Sequence, residues 1–274
     1  MGGIVFAAAM SHAPHITGYA NHAGKEVKDR VYAGMTEIGD QLRQAKPDVL
    51  VVVSSDHFHN LFVDRMPAFC VGVAQSYSGP IEKWINVDSF SIPGAEAFSR
   101  ALVEQAYETG FDPAFAENVI LEHGVVVPLQ FLAPEYDIPL VPILQNCMVP
   151  PLPTLSRCYD FGQFIRRAAQ ASDLRVAVVG TGGLSHSPGA PEAGDIDREF
   201  DLEFLGALAS ERPVQVVDWS SEKIDAAGFG AWEIRQWVTA LGAANGAQAQ
   251  TVYYESVAEW ETGCGGVVFE TSTS

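Results

Sequence analysis

The sequence predicts an α/β fold in one domain. Three observations carry that prediction. Short apolar runs alternate with longer helical patterns along the chain. The middle runs, Val49-Leu50-Val51-Val52-Val53 and Val176-Ala177-Val178-Val179, are apolar at successive positions, as strands covered on both faces are. And 47% of the 274 residues are hydrophobic against 18% charged, enough apolar side chain for a substantial core.

In chain order, Ile4–Met10 is a short apolar run with no basic leader before it. It ends directly in Ser11-His12, so it reads as a core strand rather than a signal segment. Lys25–Ala45 carries a helical pattern, and Val49–Ser54 and Ala68–Val73 are strands. A helix over Gly94–Thr109 precedes a strand at Leu140–Leu144. The Pro-rich segment Val149–Pro153 is a rigid connection into a helix over Leu155–Ala171. Arg175–Gly180 is the next strand, followed by helices over Asp195–Ala209 and Ala231–Ala244 and strands at Gln250–Tyr254 and Gly266–Glu270. No repeat is present and composition does not shift, so residues 1–270 form one domain and 271–274 a frayed tail.

Charge and cysteine usage narrow the function. The formal net charge is −18, from 34 acidic and 16 basic side chains, which repels phosphate backbones and excludes nucleic acid as a partner. No run approaches the roughly 20 apolar residues of a membrane helix. Cys70, Cys147, Cys158 and Cys264 form no C-x-x-C pair and read as reduced, buried thiols of a cytoplasmic protein.

Six of the seven histidines fall near strand ends or in polar turns: His12, His15, His57, His59, His123 and His186. Ligands of open α/β sheets sit at the carboxyl ends of strands, and imidazole is the commonest neutral metal ligand. In Ser11-His12-Ala13-Pro14-His15, proline biases the segment toward extended backbone, where positions three apart face opposite sides. His12, which directly ends the first strand, is the better ligand candidate. His57 and His59 would share one face if the second strand continued, and spacing alone leaves both open. Glu233 borders the buried stripe Ile234, Trp237, Val238 and Leu241 of its helix, in a first turn that suits negative charge; a glutamate facing water is the other reading. The turn Gly180-Thr181-Gly182-Gly183-Leu184-Ser185-His186 could present His186 over the sheet edge, while His123 reads equally as a buried, hydrogen-bonded histidine.

Taken together, Ser11-His12-Ala13-Pro14, Asp56-His57, Glu122-His123-Gly124, Gly180–His186 and Glu233-Ile234-Arg235-Gln236-Trp237 resemble, in order and separation, the class III extradiol ring-cleavage dioxygenases. That is the group of the protocatechuate 4,5-dioxygenase beta chain and 2,3-dihydroxyphenylpropionate 1,2-dioxygenase. The resemblance spans essentially the whole chain, with Arg65–Gly72, Tyr253-Tyr254 and Glu259-Trp260 as further matches. It implies a mixed central sheet flanked by helices, and iron(II) held by His12, His57 and Glu233 as a two-histidine, one-carboxylate set. It implies acid/base roles for His186 and His123, and supporting or bystander positions for His15 and His59. The substrates it implies are a catechol and O2, and the site would be closed by a homo-oligomer or a small lid subunit. Glu122 stands where an aspartate is usual, and Glu259–Cys264 lacks the Ser-Asn pair that recognises a carboxylate in the protocatechuate enzyme. Two other readings stand beside this one. A metal-dependent hydrolase would use His57-Phe58-His59 as an H-x-H ligand pair, and a non-catalytic metal-binding protein would keep the fold alone.

Overall fold

The computed structural model describes residues 2–271; residues 272–274 of the expected tail lie outside the described residues. Among the described residues, ten strands and eight α-helices follow one another in the order β1 (Gly3–Met10), α1 (His15–Gly18), α2 (Lys25–Gln44), β2 (Val49–Ser54), β3 (Phe69–Gly72), β4 (Ser76–Gly79), β5 (Phe90–Pro93), α3 (Glu96–Glu108), β6 (Ala114–Ala116), α4 (His123–Leu132), β7 (Leu140–Gln145), α5 (Leu155–Ala171), β8 (Arg175–Thr181), α6 (Arg198–Leu208), α7 (Ser221–Ala226), α8 (Ile234–Ala243), β9 (Ala249–Val257) and β10 (Thr262–Phe269). Eight strands make one sheet in the order β6-β3-β7-β2-β8-β1-β10-β9, and β4 pairs with β5 apart from it. The sheet is mixed, as expected. Pairs β7/β2, β2/β8, β8/β1 and β3/β6 are parallel, whereas β3/β7, β1/β10 and β10/β9 are antiparallel.

Strand β2 shows why the central runs are apolar throughout. Val49, Val51 and Val53 join the core cluster on one face, and Leu50 and Val52 join the cluster on the other. Period-two alternation thus sends consecutive residues into two separate cores. Residues of α3, α5, α6 and α8 fill the first cluster, and those of α2 and α4 the second. The sheet places the carboxyl ends of β2, β8 and β1 side by side in its centre, and this arrangement builds the site.

Most expected elements are present within a few residues. The differences have local causes. Helix α4 has no counterpart among the expected elements: it is buried on nearly every side and contains Pro128, so it shows no one-sided helical pattern. The short strands β4, β5 and β6 have few residues to carry a period. The helix expected from Ala231 starts as a 3-10 turn over Phe229–Glu233 and becomes α-helical at Ile234. The helix expected from Asp195 starts at Arg198, because the Asp197 carboxylate caps the Phe200 amide at 3.0 Å.

Helices α5 and α8 cross closely at two glycines. A Cβ on Gly162 would stand 2.0 Å from the Thr239 carbonyl oxygen, and one on Gly242 would stand 2.1 Å from that of Tyr159. Gly206 of α6 has no heavy atom within 4 Å of its Cβ position. Gly162→Ala should therefore lose about 1–3 kcal/mol of stability through overpacking. Gly206→Ala should gain about 0.4–1 kcal/mol through a less flexible unfolded chain. Urea unfolding midpoints of the two variants would check both signs.

Candidate metal centre and active site

Two residues beyond β1, His12 is buried, and a hydroxyl fixes its ring. Its Nδ1 lies 3.1 Å from Thr181 Oγ1, while that hydroxyl donates to the Gly124 carbonyl at 2.8 Å. The hydroxyl hydrogen being engaged, its oxygen accepts from Nδ1–H, which leaves Nε2 as the nitrogen that can take a metal ion or a second proton. That Nε2 is 3.0 Å from Glu233 Oε1.

Strand β2 ends at Ser54, and the chain does not continue extended through the two histidines beyond it. The Asp56 carboxylate accepts from the amides of His59, Asn60 and Leu61 at 2.7–3.1 Å, and Phe58 takes a left-handed conformation with φ 60°. The turn separates the two rings that a straight strand would have placed on one face. His57 Nδ1 sits 2.9 Å from Glu122 Oε2, an acceptor only, so Nδ1 carries the proton and Nε2 points 3.2 Å from Glu233 Oε1. His59 Nε2 instead lies 3.1 Å from Glu82 Oε1.

Glu233 ends the 3-10 turn before α8 and is only 2% exposed, so it does not face water. Its Oε1 meets both Nε2 atoms and the Ser55 hydroxyl at 3.0 Å; its Oε2 accepts from the Gly183 amide at 2.7 Å. Burial opposes the charge, but His12 and His57 outweigh it and hold the carboxyl well below its usual range. Burial likewise opposes a charged His57, and Glu122 and Glu233 together raise that imidazole well above its ordinary value. Two imidazole lone pairs directed at one buried carboxylate require positive charge between them, as protons or as a metal ion.

His123 and His186 flank this centre. His123 opens α4, with Glu122 as the capping residue whose Oε1 accepts from the Gly124 amide at 3.1 Å. Its Nδ1 faces two carboxylates, Glu82 at 2.6 Å and Glu122 at 2.9 Å. Burial opposes protonation, and Glu122 and Glu82 raise the imidazole despite it. The ring lies 4.0 Å, centroid to centroid, from that of His57. His186 differs. Its Nδ1–H donates to the Leu184 carbonyl at 3.0 Å, leaving Nε2 bare and 3.8 Å from Glu233 Oε2, and burial lowers its affinity for a proton. Gly183 and Gly230 let the ring lie against backbone, since a Cβ at either would stand within 2.5 Å of it. The four histidine rings line a cavity of about 160 Å³ together with His15, Pro188, Trp260 and Glu261.

The structure thus brings together all five residues singled out in the sequence: His12, His57 and Glu233 at one point, with His123 and His186 beside it. His15 lies outside the ligand cluster, its Nδ1 bonded to the Trp260 carbonyl at 3.2 Å. Sequence reasoning missed Glu82, which sits in no motif and reaches His123 from a loop between β4 and β5. It also assigned nothing to Ser55, Thr181 or Asp201. Thr181 stood inside the glycine-rich turn, where a lone hydroxyl at a strand end was the available signal.

Over residues 6–265 the chain matches the family described as the catalytic LigB subunit of aromatic ring-opening dioxygenase. It is 28% identical to a 2,3-dihydroxyphenylpropionate/2,3-dihydroxicinnamic acid 1,2-dioxygenase of Rhodococcus sp., covering 94% of this chain and 95% of that one. The like-named enzyme of Cupriavidus necator is 29% identical over 93% of this chain and 94% of its own, and that of Photorhabdus laumondii 26% identical over 83% and 86%. The crystal structure of an uncharacterized Escherichia coli K12 protein shares the fold, with a TM-score of 0.58 at 15% identity over 87% of this chain and 92% of that one. The chain belongs to the LigB family of aromatic ring-opening dioxygenases, the class III extradiol group.

Proposed function

We propose that this dioxygenase is iron(II)-dependent and opens a catechol ring with O2, with His12, His57 and Glu233 as the metal ligands. One observation carries the reading: two imidazoles, each with its Nδ1–H engaged by its own hydrogen bond, direct Nε2 at one buried carboxylate from just beyond the ends of β1 and β2, the two strands on either side of β8. A neutral-imidazole pair with one carboxylate fits a divalent ion, balances one of its two charges, and leaves coordination positions for a catecholate. Bound iron would supply the electronic coupling between a closed-shell catechol and O2.

The chain's own groups divide the proton work. His186, with a bare Nε2 and a lowered proton affinity, is placed to take a hydroxyl proton from the catechol as it binds. His123, with Nδ1 clamped between Glu82 and Glu122, holds a proton and serves as the acid toward the developing product oxygen. A metal-dependent hydrolase built on His57-Phe58-His59 has less support, because those two rings turn to different carboxylates. The four cysteines are buried and free, which supports residence in a reducing, cytoplasmic setting.

Asp201 holds the turn that carries His186. Fully buried, it accepts from the Ser185 amide at 2.7 Å, the Ser185 hydroxyl at 3.0 Å and the Tyr254 hydroxyl at 2.8 Å. Burial raises its carboxyl to about 6, against these hydrogen bonds. A carboxyl that binds its proton more tightly folded than unfolded favours the native state below about pH 4 and costs stability increasingly up to about pH 6.

His12→Ala or Glu233→Ala should lose iron on desalting, measured by metal analysis, whereas His186→Ala should keep iron and lose about 10²–10⁴-fold in oxygen uptake with a catechol. Normal turnover in an iron-replete His186→Ala protein would remove His186 from the chemistry. Glu82→Gln should likewise retain iron but lose about 10–100-fold in turnover, because it loosens His123 rather than the ligands. For Asp201→Asn, urea unfolding from pH 4 to pH 7 should show wild type losing about 2–3 kcal/mol relative to the variant as pH rises, with the change complete just above pH 6.

A further inference from the structure

We infer that the substrate is a catechol whose ring substituent carries no negative charge, with Glu261 as the residue that selects against a carboxylate. This rests on the proposed dioxygenase activity and names its substrate class. The relatives are named for a propionate-bearing catechol, so an anionic side chain would need a cation or free amide donors beside the ring. Apart from the histidines assigned above to the metal centre and to proton transfer, the cavity offers neither. Among the described residues, no lysine or arginine lines it, and the acidic residue Glu261 does.

The geometry at that rim is specific. Glu261 follows the 3-10 turn Ala258–Trp260 in a left-handed conformation, φ 55°, immediately before β10. His15 Nδ1–H is taken up by the Trp260 carbonyl at 3.2 Å and so is not free for a ligand. The Trp260 indole N–H is engaged by the Tyr19 carbonyl at 3.2 Å, which leaves its contribution to the wall apolar. Beyond His15, the rings of Tyr19 and Trp84 stack at 5.5 Å and are nearly half exposed, extending an aromatic surface outward. Arg235, two residues from Glu233, donates to the carbonyls of Pro153 and Trp232 and lines neither this cavity nor the smaller one beside Met148 and Phe229. A chain of net charge −18 adds long-range repulsion of anions.

The test compares each acid with its own methyl ester, which keeps the ring and removes the charge. Iron-loaded full-length protein would be given 3-(2,3-dihydroxyphenyl)propionate, 3-(3,4-dihydroxyphenyl)propionate, their methyl esters and unsubstituted catechol. Oxygen uptake gives kcat/KM, and anaerobic calorimetry gives Kd independently of turnover. The better-cleaved ester should exceed its acid by about tenfold or more in both quantities, as a unit charge near a surface carboxylate implies. Glu261→Gln should narrow that ratio. An acid that equals or exceeds its ester in kcat/KM and Kd overturns the inference while leaving the dioxygenase activity standing. An unchanged ester-to-acid ratio in Glu261→Gln overturns the role of Glu261. Failure of every catechol, the unsubstituted one included, would bring down the catechol-cleaving activity and this inference with it.

Discussion

A carboxylate removed from water at the centre of a protein is costly unless cations or donors surround it, and Glu233 is such a group. Every neighbour within reach of its oxygens is a donor or a potential bearer of positive charge: His12, His57, Ser55 and the Gly183 amide. The same requirement that forces positive charge between Glu233 and the two imidazoles makes the cluster suited to a divalent ion. Removing any of these partners leaves a buried charge short of compensation, so the candidate metal site and the local packing depend on the same side chain.

Behind that centre stands a set of residues that never reach it but set its chemistry. Thr181 and Glu122 fix which nitrogen of His12 and His57 is bare. Glu82 and Glu122 clamp His123 from one side, and the Leu184 carbonyl orients His186. Two histidines of identical intrinsic chemistry are thereby pushed in opposite directions, one toward holding its proton and one toward lacking it. Glu122 joins the two halves, since one of its oxygens contacts both His57 and His123 while the other caps α4.

The sheet supplies the scaffold for all of this. Parallel β2, β8 and β1 end together, and each delivers a segment to one point: Ser55 to His57, Thr181 to His186, and His12. Their two-sided burial makes those strand ends rigid, whereas the rim of the cavity is built from the turn before β10 and the loop after β1.

The alternation of apolar runs and helical patterns determined an α/β fold, and strand-end placement determined which histidines were candidates, because both depend on local periodicity and on where a strand stops. Helix α4 escaped because burial on nearly all sides erases the pattern that reveals a helix. The turn that Asp56 builds separates His57 from His59, and which carboxylate each ring then meets, Glu122 or Glu82, is a long-range matter of packing. Glu82 and Asp201 were invisible for the same reason: their partners are 41 and 16 residues away, and only packing brings a carboxylate against a particular nitrogen or amide. Residue type and spacing settled what chemistry was available; the tertiary structure decided which proton each imidazole keeps, since that depends on the acceptor facing its second nitrogen.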